Sequence, residues 1–237
     1  MKCGGSVFRH AIFAFRISIF RYNKSVTPAP KKAPAPSLFP MFLKLEGQRC
    51  LVVGAGDVAE SKIAGLLDAA AKVGVVAPEA TPQVQSWAAA GQIEWLARPY
   101  EPSDLDGMFL VVAATFSPEL HQQIHAEAQR RGVLCNVVDV PELCDFYYPA
   151  VARRGALQIA VSTSGESPAL AQRLRKELEE QFGPEYELWL QQLGEEREKL
   201  FAARMDPEER KRLLHDLASA EAFKSFLRKH KPKRTKK

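Results

Sequence analysis

A chain of 237 residues with 46% hydrophobic residues has enough apolar material to pack one large or two modest domains. Its formal charge of +5 sits at its ends: residues 1–40 carry seven Lys/Arg and residues 228–237 another seven, neither with an acid, which leaves Met41–Leu227 at −9. That acidic body argues against a nucleic-acid partner, no apolar run of about 18 residues offers a membrane span, and Cys3, Cys50, Cys135 and Cys144 form no C-x-x-C pair, so a reduced cytoplasmic protein fits.

Residues 1–40 read as an extension outside the fold. They are basic and proline-rich, which suits either an organelle transit peptide or a tail that adds nothing to the core. Met41 stands just ahead of the first strand and would make a natural start. The first element, Cys50–Val53, is uniformly apolar, as a parallel strand covered on both faces must be. Gly54 and Gly56 follow, and a helix begins near Asp57 and Val58. The spacing from Gly54 to Ala59 is G-x-G-x-x-A, one form of the dinucleotide fingerprint. Glycines let the backbone turn sharply and approach a ligand, and the helix start points free N–H groups at that turn. A bound pyrophosphate is the expected occupant.

Lys72–Ala77 reads as the second strand, and Thr81-Pro82 opens a helix to about Ala90. Ile93–Ala97, Met108–Ala114 and Val133–Val138 read as three further strands, with a helix from Ser117-Pro118 to about Arg131. Strands alternating with helices imply a doubly wound parallel sheet with its ligand across the carboxyl ends. After Asp139 the rhythm changes. Phe146–Ala152 and Leu157–Ser162 are expected to pair about a turn at Arg153-Arg154-Gly155. Ser167-Pro168 caps a helix to about Gln181, and Asp206-Pro207 starts another within a helical stretch ending near Lys229. The expected divisions are 1–40, a sheet domain 41–140, a strand pair 141–166, a helical domain 167–229 and a basic tail 230–237.

Polar residues just past strand ends are the candidates for chemistry. Pro78 and Glu79 follow the second strand, and Glu79 lies 23 residues beyond Gly56, near the spacing of an acid that holds a ribose. Thr115 follows the small Ala113-Ala114. Asn136 and Asp139 flank the end of the fifth strand. Flanked by valines, Asp139 is expected to be partly buried, serving either as a general base or as the organiser of the turn before Pro141. His121 and His125 sit four apart on one helix face, where a solvated face is preferred to metal binding. Ser162, Thr163 and Ser164 have no base nearby in sequence.

Val52-Val-Gly-Ala-Gly-Asp-Val-Ala59, Val76-Ala-Pro78, Ala113-Ala-Thr115, Cys135-Asn-Val-Val-Asp139 and Ala160-Val-Ser-Thr-Ser-Gly-Glu-Ser-Pro-Ala-Leu-Ala171 together resemble the precorrin-2 dehydrogenases, that is, the siroheme-synthase amino-terminal module and its stand-alone relatives. The likeness runs from about Met41 to about Leu200, and the chain ends too soon for the methyltransferase domain of fused siroheme synthases. The resemblance implies an α/β architecture: a Rossmann-like sheet, a small strand-containing dimerisation region and a C-terminal helical domain. It implies oxidation of precorrin-2 to sirohydrochlorin by NAD, and in some members insertion of Fe2+. By position, Asp139 matches the catalytic aspartate, which would also serve the metal in a chelatase. Gly54, Gly56, Asp57, Val58, Pro78, Glu79 and Thr115 are expected at the cofactor, and Asn136, Ser162, Thr163 and Ser164 at the substrate. Thr163 falls where some relatives carry a phosphorylated serine. A homodimer is implied through the region after the sheet.

A substrate rich in carboxylates calls for cations, and Arg153, Arg154, Arg173, Arg175 and Lys176 are grouped in sequence. They are equally an ordinary helix face balanced by Glu177, Glu179 and Glu180. Two other readings stay open: an NAD(H)-sensing module without turnover, and a nucleic-acid binder using Lys229–Lys237. The absence of Arg in Ala77–Thr81 and the presence of Glu79 favour NAD over NADP.

Overall fold

The structure, a computed structural model, describes residues 37–230. The expectations for residues 1–36 and 231–237, Cys3 among them, fall outside that range. Five parallel strands, β1 (Arg49–Val53), β2 (Lys72–Val76), β3 (Ile93–Leu96), β4 (Leu110–Ala113) and β5 (Leu134–Val137), hydrogen-bond in the order β3-β2-β1-β4-β5. This is the doubly wound α/β sheet expected of the sequence, and its order reverses between β1 and β4.

The composition of β1 and β4 explains their central place. Cys50, Leu51, Val52 and Val53 are all buried, as are Leu110, Val111, Val112 and Ala113, because both sheet faces are covered. Helix α1 (Asp57–Asp68) seals one face through Ala59, Ile63 and Leu66. Helix α3 (Pro118–Arg131) seals the other through Ile124 and Ala128, with Leu105 beside it. Each buried Leu or Ile stabilises the fold by roughly 1.5–3 kcal/mol relative to exposure. Helix α2 (Pro82–Ala89) links β2 to β3, with Thr81 capping and Pro82 at its first position. Between β3 and β4 the crossover holds only the 3-10 turn Pro102–Leu105. Arg98 fixes it with a bidentate ion pair to Asp104, at 2.9 Å from Nη1 and 2.5 Å from Nη2.

Past the sheet, β6 (Ala150–Arg154) and β7 (Leu157–Val161) form an antiparallel hairpin. Here two boundaries differ from the expectation. Phe146–Pro149 are not strand: the carbonyl of Phe146 accepts a hydrogen bond from Asn136 at 2.8 Å, which spends this segment as cover over the sheet. Arg153 and Arg154 belong to β6, and the turn is Gly155-Ala156, with Gly155 at φ 56 as the first central residue of a two-residue hairpin loop requires. Helix α4 (Pro168–Gln181) packs on both hairpin strands. Helices α5 (Glu185–Ala202), α6 (Pro207–Leu217) and α7 (Ala220–Lys229) follow, and the rings of Tyr186 and Trp189 on α5 meet Phe223 on α7 at 4.5 and 4.6 Å between centroids. No helix among the described residues is long and apolar enough to cross a membrane.

Candidate active site

The ends of β1, β2 and β4 are locked together by backbone bonds. Gly54 N–H donates to Val76 at 2.9 Å, Ala114 N–H to Val53 at 2.8 Å, and Thr81 N–H to Ala55 at 3.1 Å. Gly54 has φ 105, and a Cβ there would stand 2.2 Å from the Ala114 carbonyl oxygen. Only glycine admits this contact. A Cβ on Gly56 would meet nothing within 4 Å, so the second glycine faces open space. These are two of the places where the sequence expects a cofactor, and they differ in kind: one glycine closes the sheet, the other leaves room.

Gly56 is also the N-cap of α1, and no side chain caps that helix. Helices α2, α3, α4, α6 and α7 are capped by Thr81, Ser117, Ser167, Asp206 and Ser219, and of the rest only α5 shares the lack. The first-turn amides of α1 are thus left to an anion. Asp57 and Glu60, in that turn, already offset part of the helix dipole, so a phosphate would be held by N–H groups rather than by net charge. Asp57 and Val58 are both exposed beside the turn, and so are Pro78 and Glu79, whose loop the Thr81–Ala55 bond holds against it.

Thr115 closes the other side. Its carbonyl accepts a hydrogen bond from His121 Nε2 at 3.0 Å, while its hydroxyl Oγ1 is buried with no partner. An unpaired buried hydroxyl costs about 1–3 kcal/mol, a cost that a bound hydrogen-bonding group would remove. Open space at Gly56, uncapped amides and an orphaned hydroxyl across the sheet reversal fit a dinucleotide. The expectation of solvated histidines fails for His121: it is 8% exposed and anchors the loop carrying Thr115. Among the described residues no three His, Cys, Asp or Glu side chains gather as a metal site.

Asp139 lies in the turn Val137–Val140, closed by a 3.2 Å bond from Val140 N–H to the Val137 carbonyl, and has φ 62. The partial burial expected of it is absent; the side chain is exposed. Its flanking valines point the chain inward, and the left-handed turn carries the carboxylate out. What holds the turn is a clasp the sequence did not disclose. Asp145 N–H donates to the Cys135 carbonyl at 2.8 Å, and its carboxylate accepts from Cys135 N–H at 2.8 Å and from Gln129 Nε2 at 2.9 Å. The Cys144 thiol lies 3.1 Å from the Val137 carbonyl and 3.3 Å from that of Val140. Asn136, 6% exposed, commits its amide to Phe146 and Cys144, so it secures the Asp139 loop from below.

Burial pushes the Cys50 thiol up to about 11 and, with Asp145 adding to it, that of Cys135 up to about 12. Both stay protonated and inert at neutral pH. Cys50, Cys135 and Cys144 are free thiols.

The Ser162–Ser164 loop is a tight turn in which Glu166 N–H donates to Thr163 at 2.9 Å, with Ser164 at φ 52 and Gly165 at φ 85. The Thr163 hydroxyl accepts from Ser167 N–H at 3.1 Å. No hydrogen bond among the described residues joins this loop to the strand ends. The basic group after the hairpin is largely spent: Arg175 pairs with Glu179, Arg173 with Glu177 at 3.6 Å, and Arg154 donates to the Glu179 carbonyl at 2.7 Å. A cation missed in the sequence lies on α1. The ammonium of Lys62 sits 4.1 Å above the Tyr148 ring; burial lowers its pKa and the nearby Asp139 raises it.

Residues 41–150 match a family model described as putative NAD(P)-binding, and residues 154–181 one described as sirohaem biosynthesis protein central. Siroheme synthase 1 of Aeromonas hydrophila is 44% identical over 140 residues, and siroheme synthase of Pseudomonas entomophila 48% identical over 140 residues. Each alignment covers 59% of this chain and 30% of the relative, so the chain spans less than a third of the length of these curated relatives. The solved structure of SirC, precorrin-2 dehydrogenase, superposes with a TM-score of 0.68 at 27% identity, over 81% of this chain and 98% of that one. In its consecutive matched segments and in its fold, the chain is similar to the precorrin-2 dehydrogenase SirC and to the corresponding module of siroheme synthases.

Proposed function

We propose that this protein oxidises precorrin-2 to sirohydrochlorin with NAD+, in siroheme biosynthesis. The observation that carries the reading is the pairing of a dinucleotide cradle at Gly54–Val58 with an exposed carboxylate, Asp139, held in a left-handed turn at the end of β5 in the same sheet. A non-glycine residue kept at positive φ by a web of bonds is the kind of strain that functional sites retain. NAD+ supplies the hydride acceptor. The uncapped amides of α1 would hold its pyrophosphate, Pro78 and Glu79 would hold its ribose, and the unpartnered Thr115 Oγ1 would be free to donate to it. Asp139 takes the proton lost as hydride leaves the macrocycle, so one NADH and one proton accompany each sirohydrochlorin. Being exposed, Asp139 reaches a large substrate without that substrate entering the sheet.

The same carboxylate suits a second step, in which Fe2+ as substrate replaces two pyrrole protons of sirohydrochlorin. Ser162, Thr163 and Ser164 are read as a substrate loop, and Asn136 as the support of Asp139. A homodimer is read through the β6–β7 hairpin, where α4 packs on the sheet yet no residue of β7 is fully buried. The reading of 41–140, 141–166 and 167–229 as separate divisions is supported by the succession of sheet, hairpin and helices. A cytoplasmic location is supported by the free thiols. The test is turnover of enzymatically generated precorrin-2 with NAD+, read from sirohydrochlorin absorbance. Wild-type turnover is expected. Binding of NAD+ with precorrin-2 left unchanged would favour a cofactor-sensing module instead.

A further inference from the structure

Lys62 is a cation to which the proposed chemistry assigns no role. It lies on α1, in the second turn after the cofactor glycines, and is half-buried. Its ammonium is 4.1 Å over the ring of Tyr148, which comes from the irregular segment ahead of β6. Phe146, from that segment, packs against the core that α1 covers and meets Tyr148 edge-on at 5.6 Å. No ion pair among the described residues includes Lys62, whereas Arg154, Arg173 and Arg175 are engaged on α4. Asp139 is near enough to favour its charged form but does not bond to it. The result is a charged group, partly stripped of water, positioned by an aromatic face between the cofactor helix and the candidate catalytic turn. An aromatic face holds an ammonium while leaving its N–H groups free to donate.

Resting on the precorrin-2 reading, we propose that Lys62 is a substrate-binding residue that anchors one of the macrocycle's carboxylates, with Tyr148 fixing its position. A carboxylate there completes the ion pair that the protein leaves unmade and sets the ring edge between cofactor and Asp139. Partial desolvation makes such a pair stronger than a surface one.

The test titrates sirohydrochlorin into wild-type protein, Lys62→Met and Lys62→Arg by visible absorbance, with NAD+ binding measured in parallel. Met keeps the stem and its packing on Tyr148; Arg keeps the charge. Lys62→Met is expected to weaken sirohydrochlorin binding about tenfold or more, as loss of a charged hydrogen bond does. It should also flatten the salt dependence of binding, with NAD+ affinity unchanged and Lys62→Arg close to wild type. Equal sirohydrochlorin affinity in Lys62→Met would overturn the proposal. So would a parallel loss of NAD+ affinity and thermal stability, which would make Lys62 a staple between α1 and Tyr148. Wild type that binds NAD+ but not sirohydrochlorin would remove the precorrin-2 reading, and this proposal with it.

Discussion

Gly54 and Ala114 meet so closely that a methyl group on the glycine would overlap the alanine's carbonyl oxygen, at 2.2 Å. The contact joins the ends of β1 and β4, the two strands between which the sheet order reverses. A turn residue and a strand-end residue far apart in sequence therefore set the floor of the candidate cofactor site together.

Two glycine substitutions should separate packing from binding. Gly54→Ala is expected to destabilise the fold by ~3 kcal/mol or more, through the clash and a φ of 105 that alanine does not tolerate. Gly56→Ala meets no atom and has φ −85, so its melting temperature should match wild type while NAD+ affinity falls at least tenfold. Thermal melts and NAD+ titrations of both variants check the pair; equal melting losses would show that the two glycines do the same job.

Asp139→Asn is expected to abolish precorrin-2 turnover, by about a hundredfold or more, since an amide cannot take the proton. Because Asp139 is exposed, stability should change by less than ~0.5 kcal/mol. Asp139→Gly relieves the positive φ and should raise the melting temperature while losing the same turnover. A variant series in which activity tracks stability would assign Asp139 to the turn alone.

Cofactor choice should follow Glu79. Wild type is expected to prefer NAD+ over NADP+, because an exposed carboxylate in the Ala77–Thr81 loop repels a 2′-phosphate and no arginine stands there to receive it. Glu79→Arg should narrow or reverse the ratio of kcat/KM values. An unchanged ratio would mean that Glu79 does not reach the ribose.

Asp104 predicts an acid limit to stability. Burial by itself raises its carboxyl, but the Arg98 guanidinium and the Glu101 N–H, at 2.8 Å, outweigh it and hold the group below the usual carboxylate range. A depressed pKa contributes stability that is full above the unfolded value and disappears as pH falls through the folded one. Asp104→Asn should therefore lower the melting temperature near pH 7, leaving Arg98 without its partner, with the difference from wild type closing as pH falls through the depressed pKa of Asp104. Melting curves of both proteins across pH 2–7 would show it.

The strands β1, β2, β4 and β5 and their helices were legible because burial on two faces demands apolar runs, and because Thr81-Pro82, Ser117-Pro118 and Ser167-Pro168 mark helix starts by local chemistry. The same locality made Gly54, Gly56 and Asp139 visible as site candidates. The boundary of β6 was not legible: Phe146–Tyr148 have strand-like residues, but the Phe146 carbonyl is taken by Asn136 and the Tyr148 ring lies under Lys62.

Residue pattern alone determined the doubly wound sheet, the glycine turn at a helix start and the place of Asp139 at a strand end, since each depends on neighbours within a few positions. Tertiary structure decided the rest. It exposed Asp139 rather than burying it, turned His121 into the anchor of Thr115, committed Asn136 to Phe146, and brought Lys62 over Tyr148 from more than eighty residues away in sequence. The physical reason is that exposure, pairing and close approach are properties of what the folded chain places opposite a side chain, and local sequence does not contain the opposing residue.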